Sequence, residues 1–456
     1  MTSAFSKSEL RQLIQQAGAV LTANNFGNAT KPAPSLYPHQ WNWDSAFIAI
    51  GLSHLNQVQA QREISAMFRG QWKNGMVPHI IFNPTASDYF PGPAFWASRI
   101  NPAAPDNILT SGITQPPILA WAALQIYYNA GDTRSALDFL RSIYPRLCRY
   151  HSFFHTNRNP DGNGLVYIIH PWESGLDNSP RWDQIMEGIV PKEAQSVLRT
   201  DVNIIAENER PTDHEYNKYS YLVDLFRKTQ YDQGQILQES PFIVQPVLFN
   251  SLLYVDLEAR ERIDTLLGAD TGVIKAWRGQ LKVAIQTKLW DETSGSFGDY
   301  DLKNRRLFLK DTLANYAPLF TGIPSQAVAD RLIARLFSSE QYWPDSGFPL
   351  TSVSMAVPEF DPVKYWRGPV WINMNWLMIQ GLQKYGYHSQ AKELTEKTIT
   401  LIRDHGFYEY FNPLTGAGCG TDQFSWTAAL LIDLIMKYLS TGAGINEETP
   451  GSLVNE

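Results

Sequence analysis

Three carboxylic acids, an arginine and two tryptophans fall within His170-Pro171-Trp172-Glu173-Ser174-Gly175-Leu176-Asp177-Asn178-Ser179-Pro180-Arg181-Trp182-Asp183. The Ser-Gly and Ser-Pro steps disfavour a continuous helix, so the stretch reads as a loop dense in groups that can move protons. A carboxyl group beside indole rings such as Trp172 loses water on one side. That disfavours its charged form and can keep it protonated near neutral pH, as a general acid requires, whereas Arg181 opposes the effect. The residue types alone do not choose among Glu173, Asp177 and Asp183, and a surface loop whose acids pair with Arg181 is the competing account. A second acidic cluster lies far down the chain in Gly406-Phe407-Tyr408-Glu409-Tyr410-Phe411-Asn412-Pro413-Leu414-Thr415-Gly416. Glu409 sits between two tyrosines, after a helix expected to end near Gly406 and before an Asn-Pro turn. With Asp177 it makes a candidate acid and base pair.

Three further stretches combine rings with polar groups. In Tyr37-Pro38-His39-Gln40-Trp41-Asn42-Trp43-Asp44-Ser45, Tyr37, Trp41 and Trp43 offer flat faces for a sugar and Asp44 an acceptor for its hydroxyls, although Asp44 also suits the first turn of the following helix. The long irregular loop around Gly75-Met76-Val77-Pro78-His79 and Asp88-Tyr89-Phe90-Pro91-Gly92-Pro93 brings Tyr89 and Trp96 within reach of a pocket. In Glu207-Asn208-Glu209-Arg210-Pro211-Thr212-Asp213-His214-Glu215-Tyr216, Asp213 reads as a helix cap, and Arg210 either pairs with Glu207 or Glu209 or serves a ligand. Lys364-Tyr365-Trp366-Arg367-Gly368-Pro369-Val370-Trp371 sets two cations, Lys364 and Arg367, beside Tyr365, Trp366 and Trp371, which suits a polar or anionic ligand. The Asn159–Gly164 turn echoes a calcium loop but begins with Asn and carries His170, not Glu, at its twelfth position, so it reads as a plain turn. Cys148 and Cys419 fit neither a disulfide framework nor a zinc site. No metal and no cofactor is expected.

The elements that must position these groups are mostly helices. The 456 residues are 44% hydrophobic and 18% charged, which suits a globular chain with a large core. The net charge of −7 leaves no basic footprint for nucleic acid, and no window is apolar enough for a membrane span. We expect a soluble, cytoplasmic protein with a small-molecule partner; a homo-oligomer is left open. Aromatic residues make up 12% of the chain, many of them in polar, Pro- and Gly-containing stretches where a core would not need them. Apolar periodicity predicts helices at 8–25 (capped by Ser8), 43–55, 57–71, 114–129, 132–156, 213–229, 242–267, 273–289, 309–320, 325–337, 370–384, 389–404 and 422–439. Strand signals are confined to 166–170 and 294–309. Ring-rich loops at 32–44, 72–113, 170–212, 341–369 and 405–423 separate helical hairpins. That pattern fits a closed double ring with its long loops gathered at one mouth, and an open helical solenoid is the alternative.

Four of these motifs, Glu173–Trp182, Pro38–Ser45, Tyr365–Pro369 and Tyr408–Pro413, together resemble glycoside hydrolase family 63, within it the compact bacterial branch of mannosylglycerate and glucosylglycerate hydrolases. The likeness runs in order from about residue 30 to 440. It implies an all-α, (α/α)6-barrel fold formed as one catalytic domain over 1–456, with loop insertions around 72–113 and 170–212 capping the site. It also implies that Asp177 is the general acid and Glu409 the general base of an inverting glycosidase, a mechanism that sets the two about 6.5–9.5 Å apart around a water. Asp44, Trp41 and Trp43 would hold the cleaved sugar. Arg210, Tyr216, Tyr37, Tyr89, Gln115, Tyr365, Trp366 and Gln423 would grip the sugar and the glycerate, and Trp172, Arg181, Arg367 and Trp371 are further expected substrate-binding residues.

The expected reaction is hydrolysis of a small α-glycoside, 2-O-α-glucosylglycerate or its mannosyl analogue, with the former favoured and Arg210 taking the glycerate carboxylate. An α-glucosidase acting on glucosylglycerol or a gluco-oligosaccharide is the alternative within the class. A sugar epimerase, which would rely on a histidine pair, and a non-catalytic sugar-binding helical protein are the alternatives outside it.

Overall fold

The computed structural model describes residues 4–86, 89–191, 199–345 and 347–440. Within the expected domain and its caps, 87–88 (including Asp88 of the first capping loop), 192–198 of the second, and 1–3, 346 and 441–456 lie outside the described residues.

The main helices are α1 (Lys7–Asn24), α2 (Asn42–Leu52), α3 (Gln57–Arg69), α4 (Leu119–Tyr128), α5 (Thr133–Asn157), α6 (Asp213–Lys228), α7 (Val247–Leu267), α8 (Gly272–Lys288), α9 (Pro318–Thr321), α10 (Gln326–Leu336), α11 (Ile372–Lys384), α12 (His388–His405) and α13 (Ser425–Ser440). Inner helices α2, α4, α7, α9, α11 and α13 each pack on the next, and α13 packs back on α2. The ring therefore closes, which excludes the open solenoid. Helices α1, α3, α5, α8, α10 and α12 alternate with them in the chain and make the outer layer of an (α/α)6 barrel.

Sequence explains the division. Every residue of α2 is buried, as befits a helix with protein on all sides, whereas α3 buries Ala60, Glu63, Ile64, Ala66, Met67 and Phe68 and shows its remaining positions outward. Closure depends on a close approach, because a Cβ added to Gly51 of α2 would lie 2.3 Å from the carbonyl oxygen of Ala429 in α13. Asn24 and Ser425 add a polar clasp, with Asn24 Nδ2 donating to Ser425 Oγ at 2.9 Å.

Several boundaries differ from those expected, and proline or capping chemistry accounts for them. Helix α4 starts only at Leu119 because Pro116 and Pro117 precede it, and α7 starts at Val247 after Pro246. The segment expected as a helix over 309–320 is split into a 3-10 turn, Leu313–Tyr316, and the single turn α9. Ser6, not Ser8, caps α1 through a capping box with Glu9, and Thr212, not Asp213, caps α6 with Glu215. Helix α6 belongs to neither ring; it lies in the long connection between α5 and α7. The stretch 166–170 contributes only an isolated bridge, Ile168 to Val244. The 294–309 stretch does form strands, Asp299–Asp301 pairing with both Arg306–Phe308 and Val244–Gln245. Among the described residues, no helix is long and apolar enough to cross a membrane.

Candidate active site

Three chain segments converge on one cavity at the entrance to the inner ring. The first passes through the short pair Gln40–Trp41 with Ile80–Ile81 and then turns into α2. Buried Glu63 of α3 accepts from Ser45 Oγ at 2.7 Å and from Gln40 Nε2 at 3.1 Å, which pins both flanks of Trp41, Trp43 and Asp44. The Trp43 backbone N–H donates to Gln115 Oε1 at 3.3 Å, joining this segment to the loop before α4.

The second segment is the acid-rich loop, and its three carboxylates separate cleanly. Glu173 is fully buried and paired bidentately with Arg158 (2.8 and 2.9 Å), and it accepts from the backbone N–H groups of Thr114 (3.0 Å) and Ile169 (2.7 Å). Its lone pairs are committed to holding the loop. Asp183 points to the other side and pairs bidentately with Arg367 at 2.6 and 2.9 Å. Only Asp177 lines the cavity. Gly175 lets it do so: its φ is +73°, and an added Cβ would lie 2.5 Å from the Trp43 ring. Tyr219 Oη donates to the Asp177 carbonyl at 3.1 Å, and Trp182 Nε1 to that of Leu176 at 2.8 Å.

The third segment is the hairpin Tyr410–Phe411 with Gly418–Cys419, which presents Glu409. Tyr37 Oη donates to Glu409 Oε1 at 2.7 Å, and the Thr421 backbone N–H reaches Glu409 Oε2 at 3.4 Å. Arg210 Nη1 lies 3.8 Å from the same Oε1 and donates to Tyr37 Oη at 3.0 Å.

These segments, together with Tyr89, Arg210, Tyr216 and the stretch from Tyr365 to Trp371, surround a cavity with about 670 Å³ of empty space, part of it open to solvent. Its wall includes Tyr37, Trp41, Trp43, Asp44, Tyr89, Gln115, Trp172, Asp177, Arg210, Tyr216, Tyr365, Trp366, Trp371 and Glu409. Trp366 and Trp371 stack face to face, 3.7 Å between centroids. Burial pushes the Asp177 carboxyl up to about 7, with Glu409 adding to the rise and Arg210 opposing it. Among the described residues its one side-chain donor is Tyr365 Oη, at a long 3.5 Å. Burial raises Glu409 as well, but Arg210, the Tyr37 hydroxyl and the Thr421 N–H favour its charged form. The same burial lifts Asp44 well above the usual carboxylate range, and the nearby Glu409 and Asp177 add to the rise. The arrangement can therefore offer a proton from one wall and take one at another.

Five residues expected at the site do not line it: Trp96, whose Nε1 donates to the Pro91 carbonyl at 3.1 Å, Lys364, Arg181, Arg367 and Gln423. Arg181 is buried behind the loop, paired with Asp299 and donating to Asn315 Oδ1 at 2.6 Å, so it ties the loop to the neighbouring hairpin. Arg367 is engaged by Asp183 and by the Asn178 carbonyl at 3.1 Å, outside the cavity. Gln423 is exposed in a left-handed conformation (φ 49°), and its carbonyl accepts from Asn24 Nδ2. Conversely, Pro32, His79, Phe90, Pro91, Phe424 and Trp426 line the cavity without having been singled out for it. Trp426 carried a usable signal, since an indole at an inner-helix entrance also marks Trp43 and Trp371. Among the described residues, no group of three or more His, Cys, Asp or Glu side chains is placed to hold a metal.

Residues 37–427 match the family model described as the mannosylglycerate hydrolase MGH1-like glycoside hydrolase domain. The chain is 41% identical to a mannosylglycerate hydrolase of Rubrobacter radiotolerans over 94% of its own length and 98% of that protein's. It is 34% identical to a glucosylglycerate hydrolase of Mycolicibacterium hassiacum, over 92% and 97%. The crystal structure of the family 63 mannosylglycerate hydrolase from Thermus thermophilus in complex with Tris and D-glycerate superposes with a TM-score of 0.87 at 38% identity, covering 92% of this chain and 99% of that one. A match over most of the chain, on a barrel whose cavity holds two carboxylates among indole rings, makes this protein a glycosidase of the mannosylglycerate hydrolase MGH1-like family.

Proposed function

We propose that this chain hydrolyses an α-glycoside of glycerate with inversion at the anomeric carbon, Asp177 acting as general acid and Glu409 as general base. The reading rests on the unequal surroundings of two buried carboxylates in one cavity: Asp177 has a long contact from Tyr365 Oη at 3.5 Å, whereas Glu409 accepts from Tyr37 Oη at 2.7 Å and from the Thr421 N–H at 3.4 Å, both of which favour its charged form. Asp177 protonates the leaving glycosidic oxygen, and Glu409 takes a proton from the water that attacks from the opposite face. Trp41, Trp43 and Asp44 hold the cleaved sugar. Tyr89, Gln115, Tyr216 and Arg210 surround the aglycone. Arg210 is the only lysine or arginine among the described residues lining the cavity, and so the partner for a carboxylate. The relatives' names, mannosylglycerate and glucosylglycerate hydrolase, supply the two sugars to test. In this reading the chain is one catalytic domain capped by the 72–113 and 170–212 loops, and it works in the cytoplasm on a compatible solute; the two free cysteines accord with a reducing compartment.

Proton NMR of reactions with 2-O-α-mannosylglycerate, 2-O-α-glucosylglycerate, glucosylglycerol and maltose tests both substrate and stereochemistry. We expect the β-anomer first, from one or both glycerates. If both stay intact while a neutral glucoside is cleaved, the protein is an α-glucosidase of another kind. Asp177→Ala and Glu409→Ala should each lose at least about a thousandfold in rate. Asp183→Ala, which loses only a contact to Arg367, should not.

A further inference from the structure

Arg210 touches the supports of both carboxylates. Its Nη1 donates to Tyr37 Oη (3.0 Å), which in turn donates to Glu409 Oε1 (2.7 Å). Its guanidinium also lies over the Tyr365 ring, 4.3 Å from the centroid, and Tyr365 Oη is the group that reaches Asp177 Oδ2. On the other side Arg210 Nε donates to Asp201 Oδ2 at 3.1 Å, but Asp201 is not Arg210's alone. It also accepts from Arg199 at 2.8 and 3.0 Å and from Tyr216 Oη at 3.3 Å. Arg199 also pairs with Asp213 Oδ1 at 3.0 Å, so Asp201 is divided between two guanidinium groups, and the Nη1 side of Arg210 is turned to Tyr37 Oη and, at 3.8 Å, to Glu409 Oε1. The same cation lowers the proton affinity of Glu409 and Asp177 together.

We propose that the aglycone's own negative charge switches on the catalytic pair: a carboxylate seated on Arg210 draws the guanidinium's hold away from Tyr37 and Tyr365, and so from Glu409 and Asp177, once the substrate is in place. This rests on the glycerate reading above. Glu409 becomes the stronger base while Asp177 keeps its proton, and the two changes act on the same turnover. The empty enzyme holds its base restrained. A neutral aglycone fills the space without releasing it. Tyr37 is on this account a positioning residue, acting through Glu409, and Tyr365 is its counterpart on the acid.

The test compares single-turnover hydrolysis of 2-O-α-glucosylglycerate with that of 2-O-α-glucosylglycerol at pH 7, in the wild type and in Tyr37→Phe. The variant cancels any difference in leaving-group chemistry, which both proteins share. The expected result is a saturating rate at least about fivefold higher for the charged substrate in the wild type, from a modest rise in base strength and in the protonated fraction of the acid. In Tyr37→Phe both rates fall, and their ratio drops below about twofold while the ratio of half-saturation concentrations is kept. Tyr365→Phe, which retains the ring beneath Arg210, should narrow the ratio in the same way and serves if Tyr37→Phe is too slow to measure. Equal saturating rates in the wild type, with discrimination confined to half-saturation, would overturn the proposal. So would an unchanged rate ratio in both variants. Cleavage of the neutral glycoside with the glycerate left intact would overturn the substrate reading itself, a distinguishable failure.

Discussion

Replacing Asp177 by Asn should abolish activity and at the same time make the protein more stable at alkaline pH. Burial raises this carboxyl from 3.8 to about 7 in the folded protein. The folded state therefore holds the proton more tightly than the unfolded chain does. Stability contributed by the protonated form is complete below about pH 4 and is lost as pH rises towards about 7, above which the cost of the buried charge stays constant. A gap of about three pH units, at about 1.4 kcal/mol each, gives roughly 4 kcal/mol at pH 8. Asn has the same shape and never ionises, so it recovers most of that. With an unfolding entropy of about 2 cal/mol/K per residue, the gain corresponds to a rise in Tm of about 4 °C for a chain of this size. Differential scanning calorimetry of both proteins at pH 8 and pH 4, at one scan rate, reads the effect directly. The expected gap is about 4 °C at pH 8 and close to zero at pH 4. An equal gap at the two pH values, or a less stable variant at pH 8, would show that Asp177 is not held protonated by its surroundings and would remove the physical ground for making it the acid.

The pH profile of kcat/KM should fall about tenfold per unit above about pH 7 as Asp177 ionises, and its acid limb should lie above 4.5, because burial raises Glu409 too; a rate still climbing at pH 9 would contradict the assignment. Gly175→Ala puts a Cβ 2.5 Å from the Trp43 ring at a residue with φ +73°, so it should cost about 1–3 kcal/mol of stability by thermal melting and displace the sugar platform, lowering kcat/KM at least about tenfold. Glu173→Gln leaves the Arg158 guanidinium uncompensated in the interior, and should lose about 3–5 kcal/mol in denaturant titration while the pH profile of the surviving folded enzyme keeps its limbs.

The double ring and the loops that feed its mouth were legible because two different signals coincide. Apolar spacing of three to four residues marks the helices, and where it breaks off, the rings and acids begin. What single residues reveal is type, not direction. Arg181 and Arg367 looked like ligand-binding cations because each stands beside indoles in the chain, yet their partners, Asp299 and Asp183, lie far off in sequence and point them elsewhere. For the same reason Glu173 could not be told from Asp177. The difference is Arg158, at the far end of α5, which occupies one acid and leaves the other to the cavity. Gln423 failed for a backbone reason, a left-handed turn at an exposed position. The late starts of α4 and α7 were marked by Pro116, Pro117 and Pro246, whose effect apolar periodicity alone overrides.

The clasp between the two ends of the barrel has a consequence for how the enzyme comes into being. Helix α2, which begins at Asn42, needs Ala429 of α13 as its neighbour, and Phe424 and Trp426 complete the cavity that Trp41 and Trp43 begin. On a ribosome the earliest hairpins must wait, with one apolar flank uncovered, for a seal made by α13, the last helix of the ring to be synthesised. Until α13 has joined the ring the cavity lacks Trp426, and removing that helix would leave an arc with two apolar edges in place of a smaller enzyme.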